Sequence, residues 1–290
     1  WTDLLPKKLP VRERRAPTAR ELKARARVRH LTVDQAVERF VGRVKSDEVG
    51  IQETWPELRT YLEARPEQTS KLVARLKTAD FSTDAQMAVY VALGNARTDQ
   101  AKSALTGIMT DEQAPFIERT RAILALVDRE DVGPTLAHYL SEKATKITSG
   151  KTKSERLLAR QSMLALGTMS GMRPEDPQLK DIAVGSIEEG IEANPHPMNR
   201  RPVYGALANI GDPALLRFVQ EIPGHPDADM RKSASVVVRR MPPAETADFV
   251  GRWLDREQNW RVKNSLYRTV ERQTFDAGEH PGRRVLAHAI

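Results

Sequence analysis

Apolar residues recur along the chain at helical spacing. From Val203 the run VYGALANIGDPALLRFV reads as a helix, a tight turn and a second helix. Ala206, Leu207 and Ile210 place apolar groups on one face of the first helix. Gly211 fits the left-handed position that ends a helix at low steric cost. Asp212 is a cap for the second helix, and Pro213 suits its first turn, where a missing N–H costs nothing. Leu215, Leu216 and Val219 would form the buried face of that helix. Earlier stretches repeat the helical period. Val33, Ala36, Val37, Phe40, Val41 and Val44 share a face within Thr32 to Lys45. Trp55, Leu58, Tyr61 and Leu62 do so within Gln52 to Ala64, with Pro56 expected in its first turn. Pro66 is expected to open a helix burying Leu72, Val73 and Leu76. At the other end of the polarity scale, Thr18 and Glu21 have the spacing of a capping box at the start of a basic helix.

The hairpin recurs. Ala88 onward (AVYVALGNARTDQAKSAL), Ala122 onward (AILALVDREDVGPTLAHYL), Ser162 onward (SMLALGTMSG), Ser235 onward (SVVVRRMPPAETADFVGRWL) and Ser265 onward (SLYRTV) align on one apolar position. That position is Leu93, Leu126, Leu166, Leu207, Val238 and Leu266, at intervals of 33, 40, 41, 31 and 28 residues. A scattered interval predicts helical pairs joined by variable loops, as in HEAT-like repeats. The polar insertion Ser141 to Glu155, the connection GMRPEDPQ from Gly171 and the break NPHP at Asn194 account for the long intervals. A single pair cannot bury its apolar face, but stacked pairs share a continuous core. The expected fold is all-α: a right-handed α-α solenoid, a HEAT-like superhelical arc. The expected organisation is a basic N-terminal arm over residues 1–30 and one repeat domain over residues 31–290, with clear repeats from about Asp84.

Composition agrees with helices: aromatics are 5% and charged residues 29% of 290. The net charge of +7 is localised. Residues 1–30 hold ten Lys/Arg against Asp3, Glu13 and Glu21, leaving 36 basic and 36 acidic residues in the other 260. The repeat region is formally neutral, which weighs against a polyanion clamp. The first thirty residues are read as an arm along the body, a phosphate or lipid head-group contact, or a linker. No apolar run reaches the roughly 20 residues that cross a bilayer. The chain has no cysteine, which excludes disulfides, thiolate catalysis and cysteine-ligated zinc. These observations leave the compartment open.

Chemistry-bearing motifs are sparse. Gly150-Lys151-Thr152 resembles the end of a phosphate-binding loop, but Thr145 stands where the earlier glycine belongs, and a helix precedes it. His30, His138, His196, His225, His280 and His288 include no pair at metal-binding helical spacing, and no metal or other cofactor is expected. Adjacent acids such as Glu188-Glu189 point about 100° apart on a helix. No serine or threonine sits in a nucleophile elbow. Catalysis is therefore not the expected role. The segment WLDREQNWRVKNSLYR carries Trp253 and Trp260 among arginines, a combination able to grip a peptide or a base, or else to close the end of the core. Candidate binding residues on the second helices are Lys102, His138, Arg217 and Arg252, together with Trp253 and Trp260.

Residues 80–275 resemble the helical domain of the large lipid transfer protein family, which includes vitellogenin, apolipoprotein B and the microsomal triglyceride transfer protein. The resemblance is carried by ALGN (Ala92 to Asn95), LALGTMSG (Leu164 to Gly171), ALANIGDP (Ala206 to Pro213) and DADMRKSASVVVRRMP (Asp227 to Pro242), followed by NWRVKNSLYRTV from Asn259. It implies a helical arc that holds something else, either lipid-bearing sheet or a partner protein. The β-barrel and β-sheets that flank that domain in the family have no counterpart in period-2 runs before Asp84 or after Val270. The expected role is a scaffold presenting a concave helical surface to a protein. Part of a lipid-transfer or envelope assembly is the first alternative. A HEAT-like nucleic-acid-binding protein or DNA glycosylase is the second.

Overall fold

The computed structural model describes residues 18–41, 51–78, 81–129, 131–194 and 196–277. The proximal part of the basic arm, Val44, His280 and His288 lie outside these residues. Among the described residues the regular secondary structure is all helical, with no strand. The chain divides into two compact units, Trp1–Asp131 and Val132–Ile290.

The first unit opens with α1 (Ala19–Val28), capped by the expected reciprocal bonds between Thr18 and Glu21. After α2 (Val33–Ala36) the backbone widens into a π-helical turn over Val37–Val41, burying Val37, Phe40 and Val41. Helices α3 (Ile51–Ala64), α4 (Thr69–Thr78), α5 (Thr83–Asn95), α6 (Asp99–Thr110) and α7 (Phe116–Val127) come next. Pro56 falls in the second turn of α3 rather than the first, because the helix starts at Ile51. Pro66 opens a 3-10 turn that leads into α4; Leu72 is buried, and Val73 and Leu76 are half-buried. Helices alternate between two layers: α3 packs on α5 and α5 on α7, while α4 packs on α6. Arg25 ties α1 to α3 through Glu63 at 2.6 Å.

The second unit holds α8 (Gly133–Ala144), α9 (Lys153–Met172), α10 (Pro177–Glu192), α11 (Pro197–Ile210), α12 (Ala228–Ala234), α13 (Pro243–Arg256) and α14 (Trp260–Ala277). It is layered in the same way. Helix α8 packs on α10, α9 on α11, α11 on α12 and on the 3-10 turn Val237–Arg240, and both of these on α14. The core includes Met163, Val203, Tyr204, Leu207, Val238, Trp253 and Leu266.

All six aligned positions, Leu93, Leu126, Leu166, Leu207, Val238 and Leu266, are 0–2% exposed. The residues beside them explain why the repeats read alanine-leucine-glycine. A methyl on Gly94 would come within 2.6 Å of the Ala125 carbonyl oxygen, and one on Gly167 within 2.5 Å of that of Ala206. Each glycine comes just after an aligned leucine, and each alanine it meets precedes the next one on a neighbouring helix of the same layer. Two backbones approach closely where the glycine lacks a side chain.

The two helices with the most punctuated sequences are shorter than their patterns predict. After α11, Gly211 takes φ 71° and Asp212 accepts the Ala214 N–H at 2.8 Å, as the turn chemistry requires. The second helix is only a 3-10 run, Pro213–Phe218, with Leu215 and Val219 buried and Leu216 half-buried. Pro223 and Gly224 arrive too soon for an α-helix to propagate. Likewise DADMRKSASVVVRR splits into α12 and the 3-10 turn Val237–Arg240, where three successive valines crowd the backbone and Pro242-Pro243 ends the run.

Candidate functional site

Helix α10 and the turn after α11 enclose a polar cleft of about 370 Å³ within the second unit. Lys180, Asp181, Val184, Gly185 and Glu188 fall on one face of α10, as spacings of one, four, five and eight residues dictate. Asp212, Ala214, Leu215 and Arg217 form the opposing wall. Gly185 leaves open space where a side chain would otherwise project.

Its charges are matched across the cleft. Lys180 Nζ is paired with the Asp212 carboxylate, and Arg217 meets Glu188 at 3.4 Å while its guanidinium lies 4.7 Å from the Phe218 ring centre. Burial pushes the Asp212 carboxyl up, but the Lys180 and Ala214 hydrogen bonds outweigh it and hold it below its ordinary value. The lining has no serine, cysteine, histidine or tyrosine, so it offers no nucleophile of those types. Two opposed ion pairs closing on each other join α10 to the turn, and a ligand entering would have to compete with both.

Of the six residues singled out by sequence, Arg217 alone lines this cleft. Lys102, on α6, is half-buried, and its ammonium donates to the Asp131 carbonyl. It is an internal tie rather than a free binding group. His138 on α8 and Arg252 on α13 are exposed. Trp253 is 1% exposed, packed edge-to-face on Phe249 at 5.6 Å, with its indole N–H 3.4 Å from Glu257. Its ring has no face to offer a ligand, so its place is the core. Trp260 stands at the start of α14 with 69% of its surface exposed. Among the described residues no group of three or more His, Asp or Glu is arranged to hold a metal ion.

A set of polar residues that no sequence motif marks connects successive helical pairs. Arg129, just past the end of α7, is buried and donates to the carbonyls of Leu93 and Ala96 at the end of α5, to that of Thr98 at the N-cap of α6, and in bidentate fashion to Asp131 at 2.9 Å. Those carbonyls include ones a helix end leaves unsatisfied. In the second unit Gln273 of α14 performs the same task on Val238, Met241 and the Thr246 hydroxyl. The correspondence is in register: Leu93 and Ala96 stand to their repeat as Val238 and Met241 do to theirs. Asn209 donates to Thr168 Oγ1 at 3.0 Å and accepts from Arg239 at 3.2 Å, linking α9, α11 and the Val237–Arg240 turn. Arg231 makes a bidentate pair with buried Glu257 at 2.8 and 2.9 Å. What recurs in register is the pair of acceptor carbonyls, at the aligned position and three residues past it; the donors stand at different distances, Arg129 three residues past Leu126 and Gln273 seven past Leu266, so neither residue type nor spacing marks them.

No family model, no curated protein and no solved structure matches this chain.

Proposed function

We propose that this chain is a non-enzymatic scaffold: a HEAT-like array, arranged as a right-handed α-α solenoid, that presents a helical surface to a protein partner. The observation that carries this reading is the repeated internal stitching. The aligned buried positions, the Gly94–Ala125 and Gly167–Ala206 approaches and the bonds of Arg129 and Gln273 to register-matched carbonyls join one helical pair to the next. What such an architecture offers to other molecules is surface area on stacked helices. The neutral repeat region lacks the excess of cations a nucleic-acid clamp needs. A lipid-holding face needs rows of exposed apolar side chains. Among the described residues the exposed large hydrophobics are Leu22, Ile117 and Trp260, on three separate helices.

The test is to isolate the full chain from its native source under mild conditions, cross-link it through lysines and identify what is attached. A discrete protein cross-linked to the repeat region, without stoichiometric lipid, is the expected result. Acyl lipid extracted in stoichiometric amount would overturn the reading in favour of a lipid-transfer assembly. Duplex DNA binding that survives moderate salt and persists without residues 1–30 would overturn it in favour of nucleic-acid binding.

A further inference from the structure

The excess positive charge of the chain lies in its first thirty residues, and α1 is the described part of that stretch. Ala19, Leu22, Lys23, Ala26 and Arg27 are exposed, and at about 100° per residue they cover an arc of about 140° on the outer side of the helix. Val28 lies opposite that arc and is buried. Two rows run side by side within it, each made of residues four apart. Leu22 and Ala26 form an apolar row, Lys23 and Arg27 a basic one. Leu22 is 53% exposed. Arg29 and His30 continue the exposed surface past the end of the helix.

The basic row is not neutralised from within. Glu21 is engaged with Thr18 in the capping box, and Glu63 of α3, the helix on which α1 packs, is held by Arg25 at 2.6 Å. Glu57, an exposed acid of α3, stands about 120° round that helix from Glu63. Lys23, Arg27 and Arg29 make no ion pair among the described residues.

We infer that α1 and the basic segment before it hold the chain against a membrane surface containing anionic lipid. Residues 1–30 carry ten Lys/Arg against Asp3, Glu13 and Glu21, and the other 260 residues are formally neutral. A negative surface therefore attracts this stretch and leaves the repeat region to other partners. The mixture of side chains selects lipid over nucleic acid. Leu4, Leu5, Leu9 and Val11 stand among Lys7, Lys8, Arg12, Arg14 and Arg15 in sequence, as Leu22 and Ala26 stand beside Lys23 and Arg27 on the helix. A nucleic-acid backbone calls for the cations alone. A segment at a membrane interface uses both, apolar groups entering the head-group boundary and cations staying among the head groups. Within α1 the insertion amounts to one large side chain, so charge supplies most of the attraction and salt reverses it. Such a contact carries no lipid away from the membrane, and it stands independently of what the repeat region binds.

Vesicle co-sedimentation of the full chain at low salt tests this, with vesicles of phosphatidylcholine alone and of phosphatidylcholine mixed with phosphatidylserine. The chain is expected to pellet with the mixed vesicles, to stay in solution with the neutral ones, and to be released from the mixed ones as salt is raised. The double variant K23Q/R27Q is expected to bind about thirtyfold more weakly, through the loss of two cations. L22S is expected to bind several-fold more weakly. All three positions are exposed, and circular dichroism confirms that the variants keep their helicity. Equal binding to both kinds of vesicle overturns the inference, as does binding to neither, or a double variant that binds like the unsubstituted chain. An L22S variant that binds undiminished, or soluble glycerophosphoserine that displaces the vesicles at equal head-group concentration, reduces the contact to one with phosphate and overturns the membrane assignment. Duplex DNA bound more tightly than the mixed vesicles at the same salt, and equally by L22S, overturns it in favour of nucleic acid.

Discussion

Gly94 and Gly167 are defined by what they lack. Each stands one residue past an aligned leucine and lets a neighbouring backbone come closer than any side chain permits. G167A is therefore expected to lose about 2 kcal/mol, the order typical of forcing extra atoms into a packed contact, despite alanine's better helix propensity. Gly107 is the control: it is exposed in the interior of α6 and a methyl there meets nothing within 4 Å. G107A is expected to gain about 0.5–1 kcal/mol, and paired urea titrations measure both. The tryptophans give a second contrast. W253A removes a fully buried indole and is expected to cost about 3–5 kcal/mol. W260A removes an exposed one and is expected to change stability by less than about 0.5 kcal/mol, read from the thermal midpoint. Sequence alone does not separate these two residues. Both sit beside arginines, and it takes the helix phase, and the gap between α13 and α14, to send one inward and the other out.

At the scale of elements, the polar links between helical pairs set both stability and its pH dependence. Arg129 closes carbonyls at the end of α5 and holds Asp131, so R129M is expected to cost about 3 kcal/mol or more by leaving buried acceptors unpaired. The Arg129 hydrogen bonds hold the Asp131 carboxyl below its ordinary value. For Glu257, burial pushes the carboxyl up, but bonds from Arg231 and the Asn259 N–H pull it down by more. Both folded values lie below the unfolded ones. The stability they confer is thus complete above the unfolded values of 3.8 and 4.5 and is lost as pH falls through the folded values. The urea midpoint is expected to drop in acid below about pH 4. E257Q is expected to lower the midpoint at pH 7 and to flatten that acid limb. The helices themselves are largely legible in the sequence, because an apolar stripe at 3.6-residue spacing survives almost any tertiary context. Caps are legible too: Thr18, Asp212 and Gly211 act where turn chemistry puts them. The clamps are not. Arg129 and Gln273 are residue types that usually sit in water, and only the carbonyls waiting for them in the preceding repeat make them structural. The 3-10 runs escape sequence reasoning for a related cause, since a proline or a valine cluster shortens a helix whose apolar spacing still looks α-helical.

For the whole molecule, the two units each carry their own two layers and their own buried core. A chain beginning at Val132 is expected to be helical and to unfold cooperatively by circular dichroism. A broad, non-cooperative transition would show that the second unit depends on the first. The site is less legible than the fold. Arg217 stands out because it comes soon after an evident turn, but its cleft partners Lys180 and Glu188 sit on α10 and look like any exposed helical charges. Leu22 gives no signal, because its exposure depends on which face α1 turns towards α3, a phase that its sparse apolar residues leave undetermined.

The clamps also have a direction. Arg129 reaches carbonyls 31 to 36 residues earlier in the chain, and Gln273 reaches ones 32 to 35 residues earlier. On the ribosome, then, the end of α5 and the Val238–Met241 turn emerge with acceptors still open to water. The side chain that closes them arrives about one repeat later. Until it does, those two carbonyl clusters are loose ends of the growing chain, and at both places the later repeat locks the earlier one as synthesis proceeds.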